Sequence, residues 1–459
     1  MRYDAIVLGL GGMGSAVAAH AAARGMRVLG LEQFDPAHAL GSSHGATRII
    51  RQAYFESPAY VPLLRRAYEL WDALAERTRT TLRVQTGGLF VGRPQTPIVA
   101  GTIASARQWE LAHDVYDARE LRERWPMLTP LPDEIGVFEA VAGAVFPEAG
   151  VRAHLDVAAA EGAGLRFRTP VRGWDAGDDG VRVTLADGSH VEGERLAICA
   201  GPWFAKIAPD VGLPLTIERN VQFWFAPRDS AAMRLSAVPI YGVERPGARM
   251  FYGFPDFGDG AKVAHHGSGV TADPDALDRT VRDDEIAAVR AALDAFVPAA
   301  NGPFLRAAVC MYSNTPDEHF AIGAHPRQPR VVVAGGFSGH GYKFTPVVGN
   351  SSPRCSRRTG RDSRSISSHR TGSSSASRAR GKAADRPFPS ARPMLDAWIP
   401  LRRPTRRASL PPPSRTSARR SCRASSVRAR RCFRSRCSTA AICRSRAARC
   451  WCADRSSSR

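Results

Sequence analysis

Ala5-Ile6-Val7-Leu8, running at once into Gly9-Leu10-Gly11-Gly12-Met13-Gly14, is the stretch on which the fold turns. Four apolar residues without polar alternation read as a strand buried on both faces of a parallel sheet. The glycines fall as G-x-G-x-x-G. A helix of small residues, Ser15 through Arg24, follows them, with Gly25 where a left-handed cap costs least. A second strand, Met26 to Leu31, finishes at Glu32, 18 residues beyond Gly14. Gly9, Gly11 and Gly14 permit a tight turn, close approach of a pyrophosphate and close helix–strand contact. The helix N-terminus supplies N–H groups, and Glu32 accepts hydrogen bonds from a ribose diol. An acid at that position disfavours a 2′-phosphate, so the ligand is FAD or NAD rather than NADP.

Outward from this unit, Tyr60 to Glu76 reads as an amphipathic helix with Leu64, Ala67, Tyr68, Trp71 and Ala75 on one face, a stripe for the core rather than for a cofactor. Residues 151–163 form an Ala-rich helix, Phe167 begins a strand, and Val181 to Leu185 alternates into an Asp187-Gly188 hairpin turn. Leu196 to Gly201 is a buried strand ending in glycine. Residues 216–265 alternate strand-like runs with Gly/Pro turns, as an antiparallel sheet of a second domain would. Arg330 to Ala334 is the last buried strand and opens into Gly335-Gly336-Phe337-Ser338-Gly339-His340-Gly341. The sheet begun near residue 3 is thus completed near residue 334, and both domains are discontinuous in sequence.

The chain has 459 residues, room for two to three domains at roughly 150 residues each. Its net charge of +21 points to nucleic acid or membrane surfaces, but the charge is local. Residues 351–459 hold 28 Arg and one Lys against four Asp, whereas residues 1–350 hold 35 basic and 39 acidic side chains. Seven of the nine cysteines also lie after residue 350, leaving Cys199 and Cys310. Two isolated cysteines make no disulfide framework, which fits a reducing compartment. No run reaches the ~18 apolar residues of a membrane span, and Asp4 stands where a signal peptide carries positive charge. A cytoplasmic protein without membrane association is expected.

Several dispersed blocks carry a resemblance. They are Gly41-Ser42-Ser43-His44-Gly45-Ala46-Thr47-Arg48-Ile49-Ile50-Arg51, Ala53-Tyr54, Tyr60-Val61-Pro62-Leu63, Tyr252-Gly253-Phe254-Pro255, and Lys262 with His266. Cys310-Met311-Tyr312, Thr315-Pro316-Asp317-Glu318-His319-Phe320 and Gly336 through Phe344 complete the set. Together they resemble the monomeric sarcosine oxidase family, which includes N-methyl-L-tryptophan oxidase, over residues 1–349. The resemblance implies an α/β fold with a doubly wound, Rossmann-like FAD-binding domain over residues 1–82, 145–213 and 307–350. It implies an α+β substrate domain with a mainly antiparallel sheet over 83–144 and 214–306. It further implies a monomer that oxidises an N-methyl amino acid, with FAD as acceptor and O2 reduced to H2O2.

The resemblance also distributes roles. FAD is attached covalently through a thioether to Cys310, a residue that composition alone would make a small buried hydrophobe. His44 and Arg48 are the basic groups that activate the linkage, and Ser43 lies in the same cofactor-binding block. Arg51 and Lys343 hold the substrate carboxylate, for which an arginine fork is suited. Lys262 sits over the flavin near N5 and supplies positive charge for oxygen activation, and Tyr252 and His266 belong to the substrate pocket. His265 stands adjacent, and only the register from Lys262 selects His266. Gly339 and Gly341 flank His340 in a loop whose N–H groups, before a helix, face the flavin.

After Val347-Val348-Gly349 the pattern breaks. Residues 351–459 are rich in Ser, Arg, Pro and Ala without apolar periodicity, and read as a basic, disordered, low-complexity tail. An abrupt bias of this kind inside an expected helix is what out-of-frame translation of a GC-rich gene gives. An inactive or unstable frame-shifted derivative of the oxidase is therefore one alternative. A basic arm for nucleic acid is the other, although the tail shows no reading module and few aromatics. It has no paired C-x-x-C and no histidine after His369, so no metal site is read there.

Overall fold

The first strand of the parallel sheet, Ala5–Leu8, is buried along its whole length, which is why its sequence shows no alternation. In the computed structural model, which describes residues 2–351, it is central to a six-stranded sheet. The order is Gly164–Arg166, Val28–Leu31, Ala5–Leu8, Leu196–Ile198, Val331–Gly335 and Ala321–Ala324. All pairs are parallel except the last, an antiparallel edge. The chain leaves Ala5–Leu8 toward one neighbour and returns later to the other, so a crevice opens at the carboxyl end of that strand. Readings made for the tail beyond Ser351, whether disorder, frame loss or a nucleic-acid arm, lie outside the described residues.

The first helix, Gly12–Ala22, begins three residues earlier than the sequence pattern places it, so its N-terminus lies inside the glycine loop. Nine of its eleven residues are buried, because Pro147–Ala160 and Thr345–Ser351 pack on it from outside. Gly25 follows at φ +77°, the cap expected of it. The helix Val61–Thr78 turns Leu64, Ala67, Tyr68, Trp71 and Leu74 into this core. Trp71 also donates its indole N–H to the Lys343 carbonyl (2.9 Å), tying the helix to the last loop.

A four-stranded sheet (Arg2–Tyr3, His190–Gly193, Gly180–Leu185, Val171–Gly177) and a three-stranded one (Arg48–Ile50, Gly143–Val145, Arg83–Gln85) are small, and a nine-stranded sheet is the largest. Thr216–Phe225, Ala261–His265, Phe251–Asp256, Ile240–Glu244, Gly88–Gly92, Ile135–Glu139 and Asp114–Asp117 follow in order, with Val270–Thr271 at the edge and Phe304–Asn314 paired to Thr216–Phe225. It is antiparallel apart from one parallel pair, Ile240–Glu244 with Gly88–Gly92. The fold is thus mixed α/β, with a parallel sheet beside a mostly antiparallel one.

Four further sequence readings need correction. The Ala-rich helix runs Pro147–Ala160 rather than 151–163. Phe167 does not begin a strand: Gly164–Arg166 is the strand, and Pro170, which has no N–H to donate, precedes the next at Val171–Gly177. The Leu196 strand stops at Ile198, and Gly201, at φ +51°, starts a 3-10 turn. The strand after Gly25 begins at Val28 rather than Met26. The strand that bears Cys310 crosses residues 306 and 307, and it pairs within the antiparallel sheet.

Candidate active site

The glycine loop is shaped by what cannot be there. A Cβ on Gly14 would sit 1.7 Å from the Gly9 carbonyl oxygen, and Gly9 itself has φ +80°. We expect Gly14→Ala to cost about 3 kcal/mol by overpacking; a Tm unchanged from that of the unsubstituted chain would contradict this. Glu32, buried at the end of its strand, accepts from the N–H of Leu10 (2.8 Å) and of Phe34 (3.1 Å), and His38 stands 3.5 Å away. Burial pushes its carboxyl up, but His38 and the two N–H groups outweigh that and hold it ionised. Ser43 Oγ accepts the Gly12 N–H (3.1 Å) at the helix N-terminus.

These groups wall one end of a cavity of about 380 Å³. Gly9, Gly11, Glu32 and Ser43 line it, as do Cys310, Arg48, Gly339 and Gly341. One continuous space therefore joins an acid suited to a ribose, a pyrophosphate cradle and a buried thiol. That set of donors and the space a Cβ would fill suit an FAD molecule, which Glu32 would hold at its adenosine end.

Cys310 projects from Phe304–Asn314, 2 % exposed. Arg48 lies 3.5 Å from its sulfur and also donates to the carbonyls of Thr47 (2.8 Å) and Ser42 (3.1 Å) and to Gln222 (3.1 Å). Burial pushes the thiol up, yet His44, Arg48 and Lys262 together pull it down to about 7. His44 is buried, and its Nε2 finds no hydrogen-bond partner among the described residues. A cysteine at about 7 is half thiolate at neutral pH, unlike Cys199, which burial alone drives up to about 12.

A second cavity, about 60 Å³, shares Arg48, Tyr312, Gly339 and Tyr342 with the first. Arg51 enters it stacked 4.2 Å over Tyr54 and Phe55, and holds both oxygens of Glu56 (2.9 and 2.6 Å). Lys343 Nζ donates to the His340 carbonyl (2.8 Å). Burial pushes the Glu56 carboxyl up, but Arg51, His340 and Lys343 hold it down at about 2. Burial and neighbouring Arg51 bring Lys343 down to about 7. Tyr252 and His266 line the same cavity, with the His266 ring 5.6 Å from Tyr312. Burial pushes the His266 imidazole down, so it is neutral at pH 7. His265 points elsewhere, its ring against Phe251.

Twelve of the fifteen residues singled out from sequence therefore line one or both cavities; Gly14, His44 and Lys262 do not. Lys262 lies behind the wall, its three ammonium donors directed at the carbonyls of Gly45 and Thr47 (2.7 Å each) and at Thr47 Oγ1 (3.3 Å). Sequence reasoning missed Glu56, the partner of Arg51, because a loop five residues long brings them together and no pattern marks it. It also assigned no role to Tyr54, whose hydroxyl meets His340 Nδ1 at 2.6 Å.

The FAD dependent oxidoreductase family model matches residues 4–351. The chain is 50 % identical to a monomeric sarcosine oxidase of Streptomyces avermitilis over 352 residues, covering 76 % of this chain and 91 % of that one. It is 34 % identical to an N-methyl-L-tryptophan oxidase of Salmonella heidelberg, covering 76 % and 93 %. The fold is also that of NikD, an unusual amino acid oxidase essential for nikkomycin biosynthesis, with a TM-score of 0.68 at 22 % identity and 76 % and 92 % of the two chains covered.

Proposed function

The chain belongs to the monomeric sarcosine oxidase and N-methyltryptophan oxidase family of FAD-dependent oxidoreductases, and on that premise we propose that it oxidises a small N-methyl amino acid of the sarcosine class. The observation that carries this reading is the charge of the small cavity. Arg48, Arg51 and Lys343 face it against one carboxylate, Glu56, so the space favours an anion. Its volume decides the size. It is about 60 Å³, against about 380 Å³ for the neighbouring cavity. A glycine-sized substrate asks little of Phe55, Phe90 and Met250, whereas an indole side chain requires these walls to move.

In this reading Arg51 and Lys343 receive the carboxylate, and Arg51 divides its fork between the substrate and Glu56. Neutral His266 accepts a hydrogen bond from the substrate ammonium, and Tyr252 packs beside it. Arg48, lining both cavities, carries charge between substrate and cofactor sites. Bound FAD supplies the acceptor for the substrate's C–H hydrogen and electrons, which pass to O2 as H2O2 while the product imine hydrolyses. Cys310 would hold FAD through a thioether to its 8α-methyl carbon; Arg48 and His44 favour the thiolate that the bond requires, and the two electrons released with the methyl hydrogen would pass through the flavin to O2. Lys262 contributes fixed positive charge to the oxygen step from behind the wall.

The test is peroxide release from the flavin-loaded chain. Sarcosine is expected to exceed N-methyl-L-tryptophan in kcat/KM by about a hundredfold or more, since an oversized side chain costs several kcal/mol of packing. Equal turnover of the two would reject the small-substrate reading.

A further inference from the structure

Glu148 has no part in the chemistry above, yet one peptide group joins it to Lys262. Its Oε1 accepts the N–H of Gly45 (2.6 Å) and of Ala46 (3.2 Å). The carbonyl of the Gly45–Ala46 peptide accepts from Lys262 Nζ (2.7 Å). A single amide thus stands between a carboxylate and an ammonium, donating to one and accepting from the other, an arrangement in which each hydrogen bond polarises the next. The turn that presents it is strained. Gly45 has φ +96° and Ala46 φ +62°, the second without glycine's freedom. Gln222 fills the space beside Gly45 and leaves no room for a side chain there. Glu148 itself sits in the first turn of the Pro147–Ala160 helix, where an acid is favourable. The other charged or titratable groups that act on Lys262 are Arg48, which repels it, and Cys310 and Asp259, which favour it. The faces of Trp224 and Phe254 flank the ammonium at 5.3 and 5.1 Å.

We propose that Glu148 is the positioning residue for Lys262: through the Gly45–Ala46 peptide it aims the carbonyl groups that hold the ammonium, and it supplies the counter-charge that keeps this buried side chain a cation. The inference rests on the reading of Lys262 as the cation of the oxygen step. Burial pushes Lys262 well below its ordinary value, with Arg48 acting in the same direction, so loss of Glu148's charge falls on a group already near its limit.

Lysine is scarce here, four residues (206, 262, 343 and 382) against 60 arginines, so isotope-labelled lysine side chains resolve Lys262 directly by NMR, with K262M for assignment. E148Q keeps an oxygen for both N–H groups and removes only the charge. In the full-length chain it is expected to lower the Lys262 titration midpoint by about one pH unit, a tenfold loss of ammonium above the midpoint. Reoxidation of the reduced, flavin-loaded protein by O2 should slow about tenfold in that range, while anaerobic reduction by sarcosine stays within about twofold. E148D should bring the midpoint back toward its original value, and E148Q should add nothing in a K262M background. An unmoved Lys262 midpoint, or both half-reactions falling together, overturns the proposal. A K262M chain that reacts normally with O2 removes the Lys262 reading itself and leaves Glu148 a structural partner only, whatever the NMR shift.

Discussion

Acid precipitation of the purified, full-length chain should carry yellow colour into the pellet, and Cys310→Ala should leave the pellet white. Covalently held flavin is expected to fall from about one per chain to below about a tenth, because Tyr312, which also lines this end of the large cavity, is kept a neutral phenol by burial. The second cysteine cannot substitute. Cys199 lies under the glycine loop, and burial alone drives its thiol up to about 12, so it is inert at neutral pH. The prediction has a sign in pH. Cys310 is held down at about 7, so its thiolate dominates above that value and is lost below it. Attachment of FAD to the flavin-free chain should therefore slow below pH 7. Arg48→Met removes the cation 3.5 Å from the sulfur and should raise the thiol, slowing attachment at pH 7 and recovering it near pH 9. Raising the pH cannot rescue Cys310→Ala. Flavin that stays in the supernatant of the unsubstituted chain would reject the thioether while leaving the dinucleotide site intact.

How much of this is legible in the sequence follows from the range of each signal. The glycine loop, the strand before it and Glu32 are local, and their spacing states the chemistry outright. Elements with continuous burial, such as Ala5–Leu8 and Leu196–Ile198, were also readable, because a strand covered on both faces must be apolar throughout. Boundaries were less so: Gly12 rather than Ser15 opens the first helix because Gly12 and Gly14 already lie in it, with Gly11 as its extended cap, which composition does not reveal. The site residues needed the family resemblance, since nothing about Cys-Met-Tyr alone distinguishes a reactive thiol from a packed one. Least legible were the partners. Glu56 and Glu148 lie on ordinary segments, and each matters only because tertiary structure sets it against a buried cation, 5 residues away for one and 103 for the other's contact with Gly45.

Lys343→Met should raise KM for sarcosine about thirtyfold at pH 6 and by little at pH 9. A hydrogen bond to a charged group contributes about 1.5–3 kcal/mol, which sets the size. The pH dependence follows from the ammonium's position. Burial and Arg51 bring Lys343 down to about 7, so it is a cation below that value and neutral above it. The substituted chain has lost something at pH 6 that the unsubstituted chain also lacks at pH 9, and the ratio between them must shrink as pH rises. Arg51→Ala should do more damage, with no comparable recovery. The guanidinium is charged throughout the range, is 3 % exposed, and leaves Glu56 as a buried carboxylate without its partner when removed. Arg51→Lys should restore little, because a point charge cannot hold Glu56 and a substrate carboxylate with one planar fork. A substrate amide in place of the carboxylate gives the control. Sarcosinamide should be a poor substrate of the unsubstituted chain and lose little further in Lys343→Met. If the amide suffers as much as sarcosine, Lys343 is shaping the loop around His340 rather than reading the anion. Glu56 makes the distinction sharper: held down at about 2, it stays ionised across the whole titration and cannot produce the limb near pH 7.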